Sequence, residues 1–274
     1  MNKSIQLYIA DSIRQDTEVA LNSGVMPATN DQAPAGAYYR PGSYIPVNDW
    51  VATGYEYRSH FDAGSSTFFN TVGLYSLPDN VIDLIQQLGI EQIGVKDRLL
   101  DLFKEKADLV NRLSEQLFPV INRHVVAETE LYKLASMLPG LYTTGSRKDE
   151  EGYIQFLGLH LDSSKGITLD KAESSKNRLC INITHEPRYL IFLDLSVKDI
   201  LRMVQEKDPL EKGVSQFTLP DVFFRHYPTY PLVRIKQPAY SYYIAPTDNC
   251  VHDGSTMNRT TVDVTLTYLG YFNP

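Results

Sequence analysis

The order of hydrophobic periods along this chain limits its fold more than any other feature. One long stretch keeps a helical period, and the C-terminal half reads as strands. In VKDRLLDLFKEKADLVNRLSEQLFPVINRHV, Leu99, Phe103, Val110, Leu113 and Leu117 fall on one stripe, widened by Leu100 and Ala107. That spacing predicts an amphipathic helix whose charge-rich opposite side is solvated. Pro119 is expected to end or kink it. A shorter helix is expected over ETELYKLASML, stopped by Pro139-Gly140, and DNVIDLIQQLG opens the helical region with Asp79 as N-cap.

After about residue 150 the texture changes to short runs rich in Tyr, Ile, Val, Phe and Thr between polar or Pro-containing turns. YIQFLGLHLD, RLCINITH, RYLIFLDL, PLVRIKQ, AYSYYIAP and TVDVTLTYLGYF read as strands, with LSVKDILRMVQEKDP as a helical excursion closed by Pro209. Residues 1–75 mix short apolar pieces with turn formers and read as a loop-rich cover with a few short strands or helices, to which Tyr38, Tyr39, Tyr44 and Trp50 would contribute. The expectation is an α+β chain, with helical support over 78–139 and a β-sandwich or barrel of jelly-roll type over 150–272. No flexible linker separates the two textures, so 1–274 is expected to be a single domain.

Charge narrows the function. Against 33 Asp+Glu stand 26 Lys+Arg, a formal charge of −7 in 274 residues. A nucleic-acid-coating surface is therefore not expected. No apolar run approaches the length of a membrane span, and Asp11 and Arg14 interrupt the start as a secretory signal would not be interrupted. Cys180 and Cys250 lack the pairing of a structural zinc site and read as reduced thiols of a cytoplasmic protein. The expected partner is a small molecule. Oligomeric state is not legible.

The chemistry concentrates in a few side chains. His160 and Asp162 are two residues apart, so an extended backbone turns both to one face and offers an imidazole and a carboxylate to one ion. His252, in APTDNCVHDGST, lies far enough on for intervening strands to return to the same end of a barrel. Two histidines and one carboxylate leave three cis positions of an octahedral ion open, as in non-heme Fe(II) oxygenases. Seven positions beyond His252 comes Arg259, whose planar fork suits a carboxylate some distance from the metal.

On these residues, roughly 150–272 resembles the Fe(II)- and 2-oxoglutarate-dependent dioxygenases, whose double-stranded β-helix carries H-x-D, a distal His and a C-terminal Arg. The order in VRIKQPAYSYYIAPTDNCVHDGSTMNRTTVDVTLTYLG is similar to that family's closing pattern. The resemblance implies His160, Asp162 and His252 as iron ligands. It implies Arg259 as partner of the far carboxylate of 2-oxoglutarate, with Thr261 as a supporting hydroxyl. It also implies a reaction with O2 that decarboxylates 2-oxoglutarate to succinate and oxidises a substrate carbon, most often by hydroxylation. An amino acid or a biosynthetic intermediate is the kind of substrate it suggests. Asp162 argues against halogenation, where a small residue replaces the carboxylate.

Other residues compete. His60-Phe61-Asp62 repeats the H-x-D spacing, but Gly64-Ser65-Ser66 beside it reads as turn chemistry. His226 followed by Arg234 is a rival distal pair, but HYPTYP is turn-rich and Arg234 sits inside a strand that precedes another two. Asp253 would point away from a metal held by His252 and suits an outer-shell or turn role. Arg178, Asn182 and Arg188 are further candidates for contact with cosubstrate or substrate, against a default of solvated surface for the arginines. His124 and His185 read as surface or interface residues. The rival function is a cupin-like protein that binds a metal or ligand without redox chemistry, and a non-oxidative metal-dependent isomerase or hydrolase is a third.

Overall fold

In Val233–Gln237 the side chains of Val233, Ile235 and Gln237 are buried while Arg234 and Lys236 are half-buried, the period-two signature of a strand with one face inward. Such patterns recur through the computed structural model, which describes residues 4–53, 69–93, 98–163, 166, 168–211 and 213–274. His60 and Asp62 lie outside the described residues.

Two sheets form the centre. The first contains β1 (Gln6–Ile9), β7 (Thr71–Ser76), β14 (Ser241–Ala245), β11 (Asn177–Asn182), β16 (Asp263–Phe272) and β8 (Val125–Met137), in that spatial order. Its β1–β7 pair is parallel and the rest are antiparallel. The second, antiparallel throughout, contains β15 (Cys250–Ser255), β12 (Arg188–Ser196), β13 (Val233–Gln237), β2 (Val19–Leu21) and β6 (Val51–Ala52). Smaller sheets pair β3 (Val25–Pro27) with β5 (Tyr44–Pro46), and set β10 (Ile154–Phe156) between β4 (Ala37–Tyr39) and β9 (Ser146–Lys148).

Apolar surface decides how these layers stack. Leu7, Val72, Leu74, Tyr243 and Ala245 of the first sheet share one buried cluster with Val19, Leu190, Phe192, Val233 and Ile235 of the second, so the sheets face each other. The outer side of the first sheet, with Leu179, Ile181, Tyr242 and Ile244, is covered by α1 (Asp79–Leu88) and α3 (Ala107–Asn122). The outer side of the second, with Ile191, Leu193 and Leu195, is covered by α4 (Val197–Lys207) and α5 (Leu219–His226). Covered on both faces, all nine residues of β12 are buried. The chain is a mixed α/β sandwich. No described helix is long and apolar enough to cross a membrane.

Several expectations are corrected. The sheets are not confined to the C-terminal half: β1 and β7 extend the first and β2 and β6 the second, all from the stretch read as a loop-rich cover. Strands of two to six residues are too short for periodicity to announce them. Tyr38 and Tyr39 hydrogen-bond Asp149 and Thr143, Tyr44 packs on Phe224, and Trp50 lies under Arg234.

The amphipathic stripe is divided between α2 (Leu99–Glu105) and α3, parted at Lys106. The Lys106 ammonium donates to the carbonyls of Gln87 and Leu88 at 2.8 Å each, satisfying the C-terminal end of α1. Pro119 lies inside α3, which continues to Asn122. ETELYKLASML is not a helix but most of β8, paired with β16 along its length. Its mixed polarity fits either element, and an open edge on β16 is satisfied only by a strand.

Candidate metal centre

The chain around His160 is held from both sides. β10 ends at Phe156, Gly158 turns with a positive φ of 67°, and a β-carbon there would stand 2.6 Å from the Tyr44 carbonyl oxygen. The chain then meets β15 in one antiparallel bridge, His160 opposite His252. Each histidine N–H donates to the other's carbonyl, at 3.1 and 2.9 Å, and the Asp162 N–H donates to the Thr247 carbonyl at 3.0 Å. Leu159 and Leu161, 0% and 4% exposed, are drawn into the core beneath α4 and α5. Alternation then turns His160 and Asp162 the other way.

The three sequence candidates meet. One ligand atom from each of His160, Asp162 and His252 lies within 4.8 Å of the others. The Asp162 carboxylate is 3.7 Å from His160 Nε2 through one oxygen and 3.4 Å from His252 Nε2 through the other. Both Nδ1 atoms face backbone carbonyls, His160 that of Gly158 at 2.8 Å and His252 that of Cys250 at 3.0 Å. A carbonyl can only accept, so Nδ1 carries a proton on each ring and the Nε2 atoms are directed at the shared space.

The surrounding charge favours a cation. Burial works to lower the His160 pKa, but the Asp162 and Asp253 carboxylates outweigh it and push it up to about 10. Burial works to raise the Asp162 carboxyl, yet Arg178 and the two imidazoles hold it well below the usual carboxylate range. The proton a metal would displace from His160 is the one on Nε2, since Nδ1 is committed to Gly158. Asp253 has the outer-shell place: Oδ1 accepts from the N–H groups of Thr144 and Gly145 at 2.9 and 2.8 Å, and Oδ2 lies 3.5 Å from His160 Nδ1.

Two arginines that would default to surface are drawn inward here, Arg178 half-buried and Arg188 buried. Arg178 on β11 pairs with Asp162 at 2.6 Å and lies over the Tyr132 ring. Arg188 on β12 is 5% exposed and donates through Nε to Asp263 at 3.1 Å. Burial works against its charge, but Asp263 outweighs that and raises its pKa further. Gly254, two residues beyond His252, lies opposite Leu190, and a β-carbon there would stand 2.6 Å from Arg188 Nη2. The missing side chain leaves room for the guanidinium and the Thr144 hydroxyl on the face that carries His252. Two residues of strand separate them by about 7 Å.

Arg259 and Thr261 are not brought to this cluster. Arg259 spends its donors on the Thr261, Glu186, Pro187 and Val262 carbonyls and the Thr184 hydroxyl, at 2.7 to 3.4 Å. Thr261 donates its hydroxyl to Glu186 at 2.6 Å. Together they lock the turn before β16. Asn182 is likewise structural, donating to the Glu186 and Pro238 carbonyls. His124 is not a surface residue: it is buried against Tyr242 and bonds the Asn273 carbonyl at 2.7 Å. His185 is exposed, as expected.

No protein-family model and no curated protein sequence matches the chain. Among solved structures, it is similar to the Kdo hydroxylase KdoO in complex with cobalt(II), at 16% identity and a TM-score of 0.36, over 73% of this chain and 79% of that one. The same hydroxylase with alphaketoglutarate and Fe(III) aligns at 17% identity and a TM-score of 0.37, over 73% and 79% of the two chains. KdoO is a non-heme Fe(II) dioxygenase. Likeness at this level places no side chain, and the site stands on its own geometry.

Proposed function

We propose that the chain is an Fe(II)- and 2-oxoglutarate-dependent dioxygenase that oxidises a small molecule, most often by hydroxylation, with release of succinate and CO2. The facing sheets then correspond to the double-stranded β-helix of that family. The observation that carries the reading is the meeting of two Nε2 atoms and one carboxylate within 4.8 Å, with both Nδ1 atoms turned to carbonyls. Iron fits this donor set, and it would supply the place where O2 is reduced at the expense of 2-oxoglutarate.

The chain's own share is geometric. His160 and Asp162 would hold the ion from one segment and His252 from β15. Asp253 orients His160. Arg178 keeps Asp162 ionised and fixes its direction. The anchor for the far carboxylate of 2-oxoglutarate is Arg188 in place of Arg259, because Gly254 leaves room beside its Nη2 on the His252 face whereas Arg259 has its donors in use. The half-exposed Tyr132, against Arg178, marks the side from which a substrate would enter. A cytoplasmic setting would keep the buried thiols of Cys180 and Cys250 reduced.

The test is an anaerobic titration with Fe(II) and 2-oxoglutarate, expected to give the weak visible charge-transfer band of the chelate. Succinate release is then followed across amino acids, sugar acids and natural-product precursors. Iron bound without that band would turn the reading to a metal-binding protein without redox chemistry.

A further inference from the structure

The rival distal histidine of the sequence, His226, belongs to a second cluster. One ligand atom each from Asp208, Glu211 and His226 lies within 4.8 Å of the others. They come from the two ends of the connection between α4 and α5: Asp208 is the C-cap of α4 and His226 the last residue of α5. The ends are tied by the Tyr227 hydroxyl, which donates to the Met203 carbonyl at 3.0 Å.

Three features make this more than a cluster of acids. His226 Nε2 is buried and has no hydrogen-bond partner among the described residues, a costly state for an imidazole nitrogen unless something fills it. Each carboxylate has one oxygen engaged: Asp208 Oδ1 accepts from the Leu210 N–H at 3.0 Å, and Glu211 Oε2 from Arg225 at 2.9 Å. Among the described residues the second oxygens have no hydrogen-bond donor set against them. Two carboxylates beside two helix C-termini contribute a local field that attracts a cation.

We propose that Asp208, Glu211 and His226 form a second metal site, distinct from the His160–Asp162–His252 cluster, that takes a divalent transition-metal ion. One imidazole with two carboxylates suits Zn2+, Mn2+ or Co2+ rather than the all-oxygen shells of Ca2+ and Mg2+. Its place is structural. The ion fastens the ends of α4 and α5, and the connection between them carries Gln216, whose side-chain amide donates to the backbone carbonyl of Asp162. The second ion thereby steadies the segment that supplies the carboxylate of the first.

Equilibrium dialysis of the metal-free full chain against Co2+ tests this. The wild type is expected to bind two equivalents. His226→Gln and the near-isosteric Asp208→Asn should each lose one, or weaken it at least about ten-fold, while keeping the other. His252→Ala should lose the other and keep this one, and in that background Zn2+ should still raise Tm unless His226→Gln is added. A wild type binding a single equivalent that His252→Ala removes would overturn the proposal, as would retention of two equivalents by both His226→Gln and Asp208→Asn. A single equivalent removed by His226→Gln and untouched by His252→Ala would uphold this site and refute the iron site.

Discussion

His160 and His252 are joined through their backbones, each N–H donating to the other's carbonyl at 3.1 and 2.9 Å. The ligands are thus brought together by a bridge of the fold itself. Substitutions around the site should change metal affinity while the chain stays folded.

Gly145 makes the sharpest case. A β-carbon there would stand 2.3 Å from His160 Cε1. Gly145→Ala is expected to push the ring out of line and weaken Fe(II) or Co2+ binding at the His160–Asp162–His252 cluster by about 10–100-fold, the range for a displaced ligand orientation. Far-ultraviolet circular dichroism should stay unchanged, and calorimetric titration of Co2+ reads the affinity.

The two buried arginines should separate by what they lose. Arg188→Met is expected to raise the Kd for 2-oxoglutarate at least about ten-fold with Fe(II) still bound, read from the charge-transfer band. Arg259→Met should leave that Kd within about two-fold but lower stability by roughly 3–5 kcal/mol in urea unfolding, since it leaves the turn carbonyls without their donor and buried Asp263 with Arg188 alone.

Glu186 ties the stability of the same turn to pH. Burial works to raise its carboxyl, but the hydroxyl and N–H donors of Thr260 and Thr261 outweigh this and lower it from 4.5 to about 2. A carboxyl whose pKa is lowered on folding stabilises the fold fully above its unfolded pKa, and that contribution fades as pH falls towards about 2. Glu186→Gln should therefore unfold earlier than wild type at pH 7, with the gap narrowing between pH 4.5 and 2. Urea midpoints across that window check it.

The core beneath the site should be as sensitive as its packing suggests. Phe224 of α5 is fully buried against Tyr44 and Phe223. Phe224→Ala is expected to cost about 3–5 kcal/mol by leaving a cavity that the helix cannot close. Urea unfolding measures it, and the loss should appear in the second metal site as well, because His226 is two residues on.

Much was legible in the residues themselves. The helical stripe, most strands after residue 150 and the H-x-D spacing with its distant histidine were readable, because period and spacing are properties of the chain alone, whereas β15 and the early end of β10 at Phe156 were not. Where local pattern was ambiguous, as in ETELYKLASML, the open edge of β16 chose a strand. Short β1 and β2 became parts of sheets through partners distant in the sequence. Which arginine faces the site was likewise a matter of tertiary structure. Arg259 and Arg188 are alike as residues, but a ring of carbonyls surrounds one and a glycine leaves room beside the other. Sequence specifies which groups are available and which way a strand turns them, whereas the competition among hydrogen-bond acceptors that commits each donor exists only once the layers have packed.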